Sequence, residues 1–198
     1  MPAPLYPQMP PQIPTKGNRL SRAVGCYLLH LLGWRVTGQF PHESKVICAV
    51  GPHTSNWDFI IGMAGILATG IDARYLMKKE AFIWPFTKLF VWLGGEPLDR
   101  KATENTVEQI VQHFQIKEKL WLAIAPEGTR KKVDYWRNGF LRIADSANVP
   151  VLLVGFDYVN REFVIDKLWA TTGDYAVDAA AIRDYMRQRF VGRHPNQQ

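Results

Sequence analysis

Cysteine is scarce in this chain, long apolar runs are missing, and so are the common nucleophile and nucleotide motifs. The two cysteines among 198 residues, Cys26 and Cys48, both lie in apolar surroundings. They build neither a disulfide framework nor a four-ligand zinc site, so no metal is expected and a reducing, intracellular compartment is. No basic segment followed by an apolar one opens the sequence, so a signal peptide is not expected. No run of about 18 apolar residues occurs, which argues against a membrane-spanning helix and for a soluble or peripherally bound protein. None of the four serines, Ser21, Ser44, Ser55 and Ser146, sits in a G-x-S-x-G elbow. A P-loop is absent, and no G-x-G-x-x-G follows a strand. These absences speak against a serine hydrolase and against a nucleotide enzyme.

What is present describes one globular domain. Hydrophobic residues make up 47% of the chain, enough for one substantial core. A net charge of +6 favours acidic partners: nucleic acid, an anionic membrane surface or phosphorylated ligands. The cations are dispersed and no nucleic-acid motif accompanies them, so no nucleic-acid partner is expected. Seven Trp and ten Phe suit a lipid headgroup boundary.

Residues 1–18 hold six prolines and little to bury, which predicts a disordered or extended arm ahead of a domain over 19–198. From Leu20 to Val36, apolar residues recur at helical spacing, an amphipathic helix that either packs on the domain or docks on a bilayer. Helices are expected over Phe59–Ile71, Val107–Phe114 and Phe140–Ala147. A final one, capped by Asp174 and running to Phe190, would turn Val177, Ala181, Ile182, Tyr185 and Met186 inward. Strands are expected at Val46–Val50, Arg74–Met77, Leu120–Ala125 and Val149–Phe156, with edge strands or irregular structure over Asp157–Trp169. Ala81–Leu93 is an aromatic patch broken by Pro85, its rings in the core or against a membrane. Gly94–Arg100 forms a turn and a charged loop. Continuous apolar strands alternating with helices predict an α/β domain with a mostly parallel sheet flanked by helices.

The stretch from Val46 to Asp58 combines a buried strand, a Gly-Pro end and a small polar cluster. On a continuous helix His53 and Asp58 would point roughly 140° apart. Pro52 disfavours helix before His53 and Ser55 is a good N-cap, so the chain bends between the two. Asp58 then sits three residues into the helix and can fold back onto the imidazole. There it would hold one tautomer while the other ring nitrogen takes a proton, with a substrate hydroxyl as nucleophile. The same residues also satisfy a capping box, in which Asp58 only serves the helix N-terminus. A second cluster, Glu127-Gly128-Thr129-Arg130, follows another buried strand, where open α/β sheets bind ligands. Gly128 and Thr129 offer backbone donors and Arg130 a planar fork for phosphate. The plainer alternative is a surface turn with a Glu127–Arg130 ion pair. Arg100 lies in a third charged loop, and Arg137 is a further candidate cation.

Taken in order, His53 and Asp58, then Gly95–Arg100, then Pro126–Arg130, then Val149-Pro150-Val151 resemble the glycerolipid acyltransferases. That is the family of 1-acylglycerol-3-phosphate acyltransferases and their lysophospholipid relatives, and the resemblance runs from Val46 to Val154. The sequence departs from that pattern at Pro52, before the histidine, and at Lys131-Lys132, after the second cluster.

The resemblance implies that His53 is a general base on an acceptor hydroxyl and Asp58 its orienting carboxylate. It also implies acceptor-phosphate binding by Arg100, Glu127, Gly128, Thr129 and Arg130, and places Pro150 in a motif associated with the acyl donor. The implied reaction moves a fatty acyl group from acyl-CoA or acyl-carrier protein to a lysophospholipid or glycerol-phosphate-type acceptor. No cofactor is required beyond that co-substrate. The implied location is cytoplasmic and peripheral, on the inner face of the membrane. A lipid-binding protein that keeps the fold without turnover is the alternative.

Overall fold

The computed structural model describes residues 6–78, 80, 82–98 and 103–198. In chain order the elements are α1 (Arg19–Leu32), β1 (Arg35–Gly38), β2 (Lys45–Gly51), α2 (Asn56–Thr69), β3 (Ala73–Lys78), α3 (Thr87–Trp92) and β4 (Gly95–Leu98). Then follow α4 (Thr103–Ile116), β5 (Leu120–Ile124), α5 (Gly139–Ser146), β6 (Val151–Asp157), β7 (Glu162–Trp169) and α6 (Tyr175–Arg189). The seven strands lie in the order β1-β7-β6-β2-β5-β3-β4. Every pair is parallel except β6–β7.

Alternate side chains of a strand point to opposite faces, so the central strand serves two cores at once. Val46 and Cys48 join Leu29 of α1 and Ile61, Ala64 and Ala68 of α2 on one face. Ile47 and Ala49 join Phe114 of α4, Phe140 and Leu141 of α5, and Ile182 and Met186 of α6 on the other. This is the expected α/β domain, with both faces of a mostly parallel sheet covered. Helix α1 crosses α2 closely because Gly25 has no side chain: a Cβ there would lie 2.2 Å from the Ala68 backbone nitrogen.

Several local expectations are corrected. Helix α1 stops at Leu32, not Val36, because Gly33 takes the left-handed conformation at φ 69°. The chain beyond it becomes β1, and Val36 is buried there. That strand pairs with β7, so β7 is interior rather than an edge. Gly95–Leu98 is a strand rather than a loop; as the edge strand β4, it tolerates Pro97.

Asp174 caps α6 as expected, accepting the N–H groups of Ala176 and Val177. Val177 and Ala181 nevertheless face outward, while Asp178 and Ala179 are buried. The Asp178 carboxylate is drawn in by the Thr172 backbone N–H, which donates to both its oxygens at 2.9 and 3.1 Å.

Residues 6–18 are extended but not disordered. Ile13, 1% exposed, is part of the core, Thr15 bridges Ile71, and the Lys16 N–H donates to Gly70 O at 2.8 Å. Two buried residues, Ile13 and Pro14, and a few backbone bonds suffice to seat a proline-stiffened segment. The aromatic patch is largely outside the core. Trp84 is 90% exposed, and Ile83, Phe86, Leu89 and Trp92 are exposed with it. The half-buried Phe90 ties the patch to α2 through an edge-to-face contact with Phe59 at 6.0 Å. Among the described residues no helix is long and apolar enough to cross a membrane.

Candidate active site

Strand register decides which loops meet at the carboxyl edge of the sheet. Ala49 of β2 stands opposite Ile124 of β5, so three residues further on Pro52 is level with Glu127. On the other side Gly51 stands opposite Gly155 of β6, which carries Tyr158 level with Thr54. Three loops from three adjacent parallel strands therefore converge on His53.

His53 Nδ1 lies 3.2 Å from Asp58 Oδ2. The carboxylate is 0% exposed. Its Oδ2 also accepts the Ser55 backbone N–H at 2.8 Å, while Ser55 Oγ accepts the N–H of Trp57 at 3.2 Å. The capping box and the His–Asp pair are thus one arrangement: the carboxylate that closes the cap also faces the imidazole. With the Nδ1 proton shared with Asp58, the lone pair is left on Nε2, the tautomer a base needs. Asp58 Oδ1 accepts a further hydrogen bond from the Tyr158 hydroxyl at 2.5 Å.

Glu127 has a different position from the one an acceptor-binding loop suggests. It is buried, and the His53 backbone N–H donates to Oε1 at 3.0 Å and Oε2 at 3.1 Å. Glu127 makes no ion pair with Arg130; the carboxylate turns inward and braces the histidine's own peptide. Burial pushes the Glu127 carboxyl above its ordinary 4.5. The His53 N–H and the charges of His53 and Arg187 pull it down, while Asp58 pushes it up.

Gly128 adopts φ 65° and donates its N–H to Ala125 O at 3.0 Å, turning the chain outward. Thr129 and Arg130 stand exposed at the tip of that turn. Arg137 runs back along it, its Nε 3.5 Å from where a Gly128 Cβ would be. Arg100 lies outside the described residues. Pro150 sits at the opposite end of the sheet from His53. It precedes Val151, which pairs with Ile47 near the start of β2, so it stands roughly a strand length of 20 Å from the histidine. Cys48 is no competing nucleophile, since burial pushes its thiol far above the usual range. Among the described residues no group of three or more His, Cys, Asp or Glu could hold a metal.

Two residues at the site escaped sequence reasoning. Tyr158 is 100 positions from Asp58 in the chain. Arg193, after the last long helix, places its guanidinium 5.1 Å from the Trp57 ring centre. The one signal for Tyr158 is its place just past a buried apolar strand. Arg193 carries no signal.

The model of the family described as Acyltransferase matches residues 34–156. This chain belongs to the glycerolipid acyltransferase family. The match takes in His53, Asp58 and the loop from Glu127 to Arg130, and stops just short of Tyr158. A 1-acyl-sn-glycerol-3-phosphate acyltransferase of Cocos nucifera is 29% identical over 147 residues, covering 69% of this chain and 46% of that protein. A leucine–tRNA ligase of Granulibacter bethesdensis is 29% identical over 161 residues, covering 72% of this chain and 17% of that protein. The chain therefore spans less than half the length of either relative. Among solved structures, the 1-acyl-sn-glycerophosphate acyltransferase PlsC of Thermotoga maritima aligns with a TM-score of 0.59 at 17% identity. It covers 86% of this chain and 76% of that one, a likeness of fold.

Proposed function

We propose that this chain is an O-acyltransferase that moves a fatty acyl group from acyl-CoA or acyl-carrier protein to the hydroxyl of a lysophospholipid or glycerol-phosphate-type acceptor. The observation that carries the proposal is the 3.2 Å approach of His53 Nδ1 to a fully buried Asp58 at the carboxyl edge of the sheet. In the proposed reaction His53 Nε2 takes the proton from the acceptor hydroxyl as its oxygen attacks the thioester carbonyl carbon. The tetrahedral intermediate collapses with loss of the thiolate, which takes the proton back from the imidazolium. An ester and a free thiol result. Asp58 keeps Nδ1 protonated and stabilises the imidazolium while it lasts.

The exposed Arg130, with the backbone N–H of Thr129, is assigned to the acceptor phosphate. Gly128 shapes the turn that presents them, and Arg100 shares the phosphate role on the strength of its motif. Glu127 is assigned to holding the His53 peptide, because both its oxygens already serve that N–H. The acceptor's aliphatic chain needs an apolar approach. Support for one comes from the exposed stripe Leu20, Val24, Tyr27 and Leu31 on α1 and from the exposed aromatic residues around α3. These faces are proposed to rest on the inner face of the cytoplasmic membrane, the net charge of +6 favouring anionic lipid.

The test is a mass-spectrometric assay of a lysophospholipid panel with both donors. His53→Ala is expected to lower ester formation by about a thousandfold. Equal product from the wild type and this variant would show the assigned base to be wrong.

A further inference from the structure

The hydrogen bonds at Asp58 divide unequally between its two oxygens. Oδ2 serves both His53 and the Ser55 N–H. Oδ1 receives only the Tyr158 hydroxyl among the bonds described above. We propose that Tyr158, with the Arg193 charge beside it, is a positioning residue for the His53–Asp58 pair. Its hydroxyl fixes which carboxylate oxygen faces the imidazole and sets how tightly the pair holds a proton. The inference rests on the acid–base reading of that pair and extends it by two residues outside the matched family segment.

The geometry supports this from three directions. The Tyr158 backbone N–H donates to Val191 O at 2.9 Å. Its ring meets Trp34 edge-on, with centroids 4.8 Å apart and planes at 80°. A rigid tyrosine on a sheet end can hold a donor where a mobile one cannot. The Arg193 guanidinium lies close enough for its charge to bear on the Tyr158 phenol, and it stands over the Trp57 ring at 5.1 Å. Trp57 belongs to the same first turn as Asp58, so the chain of contacts closes on the helix it started from. Burial and the bond to Asp58 push the Tyr158 phenol well above its usual range. It therefore keeps its proton and acts as the donor.

The sign of its effect follows. A donor to an ionised carboxylate favours the ionised form and draws off part of its charge. Without it, a buried carboxylate left with its full charge binds the shared proton more firmly. Among the described residues, the other charged or titratable groups that bear on the pair are Glu127 and Arg193. Arg187 of α6 acts on Glu127. Tyr158→Phe leaves these charged side chains in place and removes only the hydroxyl.

The test is the titration of the His53 imidazole, followed by NMR in wild type and in Tyr158→Phe, with His53→Ala used to assign the signal. The midpoint is expected to rise by about half a pH unit or more in the variant. With 1-oleoyl lysophosphatidic acid and oleoyl-CoA, the acid limb of the rate profile should move to higher pH by the same amount. There kcat should fall about tenfold with KM unchanged. A loss of packing alone would lower thermal stability without moving the titration. If Tyr158→Phe fails to fold, Arg193→Gln, a change at an exposed side chain, should shift the midpoint in the same direction by a smaller amount. An unchanged midpoint in a folded variant overturns the inference. Absence of acyl transfer by the wild type, with every acceptor and donor, would instead sink the acyltransfer reading, and the titration would still decide the role of Tyr158.

Discussion

The Glu127 carboxylate holds the backbone N–H of His53 with both oxygens, at 3.0 and 3.1 Å, across 74 positions of sequence. Family resemblance implies acceptor binding by that glutamate; in the structure both its oxygens accept the His53 N–H. A histidine on a loop is only as well placed as its own peptide. Glu127 fixes that peptide from a neighbouring strand end, while Asp58 fixes the ring.

Replacing Glu127 by Gln keeps one acceptor oxygen and turns the other position into a donor facing an N–H. That mismatch is expected to cost about 1–3 kcal/mol of stability and to lower kcat as the histidine loosens. Chemical unfolding and steady-state rates would measure both. Unchanged stability together with a raised acceptor KM would return Glu127 to the substrate.

The same residue gives a pH dependence with a definite sign. Burial raises the Glu127 carboxyl above its ordinary value of 4.5, so the folded protein binds that proton more tightly than the unfolded chain. Its contribution to stability is complete below the ordinary value and is lost as pH climbs through the raised one. The stability difference between wild type and Glu127→Gln should therefore move against the wild type as pH rises above 4.5. Urea titrations across that range would show it; a flat difference would contradict the raised value.

Asp58→Asn separates the two duties of that side chain. An amide oxygen still accepts the Ser55 N–H, so the cap survives and the loss of stability should stay near 1 kcal/mol. The amide no longer stabilises an imidazolium, and kcat should fall by about a hundredfold or more. Thermal unfolding beside the acylation assay distinguishes the duties. Near-normal activity would leave Asp58 as a cap and nothing else.

Helix α1 has two apolar faces. Leu29 is in the core, and Leu28 and Leu32 pack against it, while Leu20 and Leu31 are 73% and 66% exposed. Deleting the chain before Lys45 would remove Ile13, Leu29 and all of β1, so surface changes isolate the outer face better. Leu20→Gln with Leu31→Gln should leave stability within about 0.5 kcal/mol per site. If both leucines enter lipid, the pair should weaken partition onto anionic vesicles by about 3 kcal/mol, roughly a hundredfold. Flotation that does not change would remove α1 from the proposed membrane surface.

Local chemistry was enough for a good part of this protein. Continuous apolar runs such as Val46–Val50 and Leu120–Ile124, short and bounded by turn residues, read as buried strands, and the helices between them favour parallel pairing. The bend from Pro52 to Ser55 brings His53 and Asp58 together within six residues, so that pair was legible before any tertiary contact. Register was not. Where Glu127 and Tyr158 fall relative to His53 depends on Ala49 meeting Ile124 and Gly51 meeting Gly155. Sheet packing sets those pairings, and no local preference encodes them. For the same reason the sequence could not say that an edge position admits Pro97 into a strand or that Ile13 anchors the proline-rich arm. Nor could it tell which half of the apolar residues on α1 the core would leave uncovered. Each of these is a competition for burial, decided only when every surface of the fold is present at once.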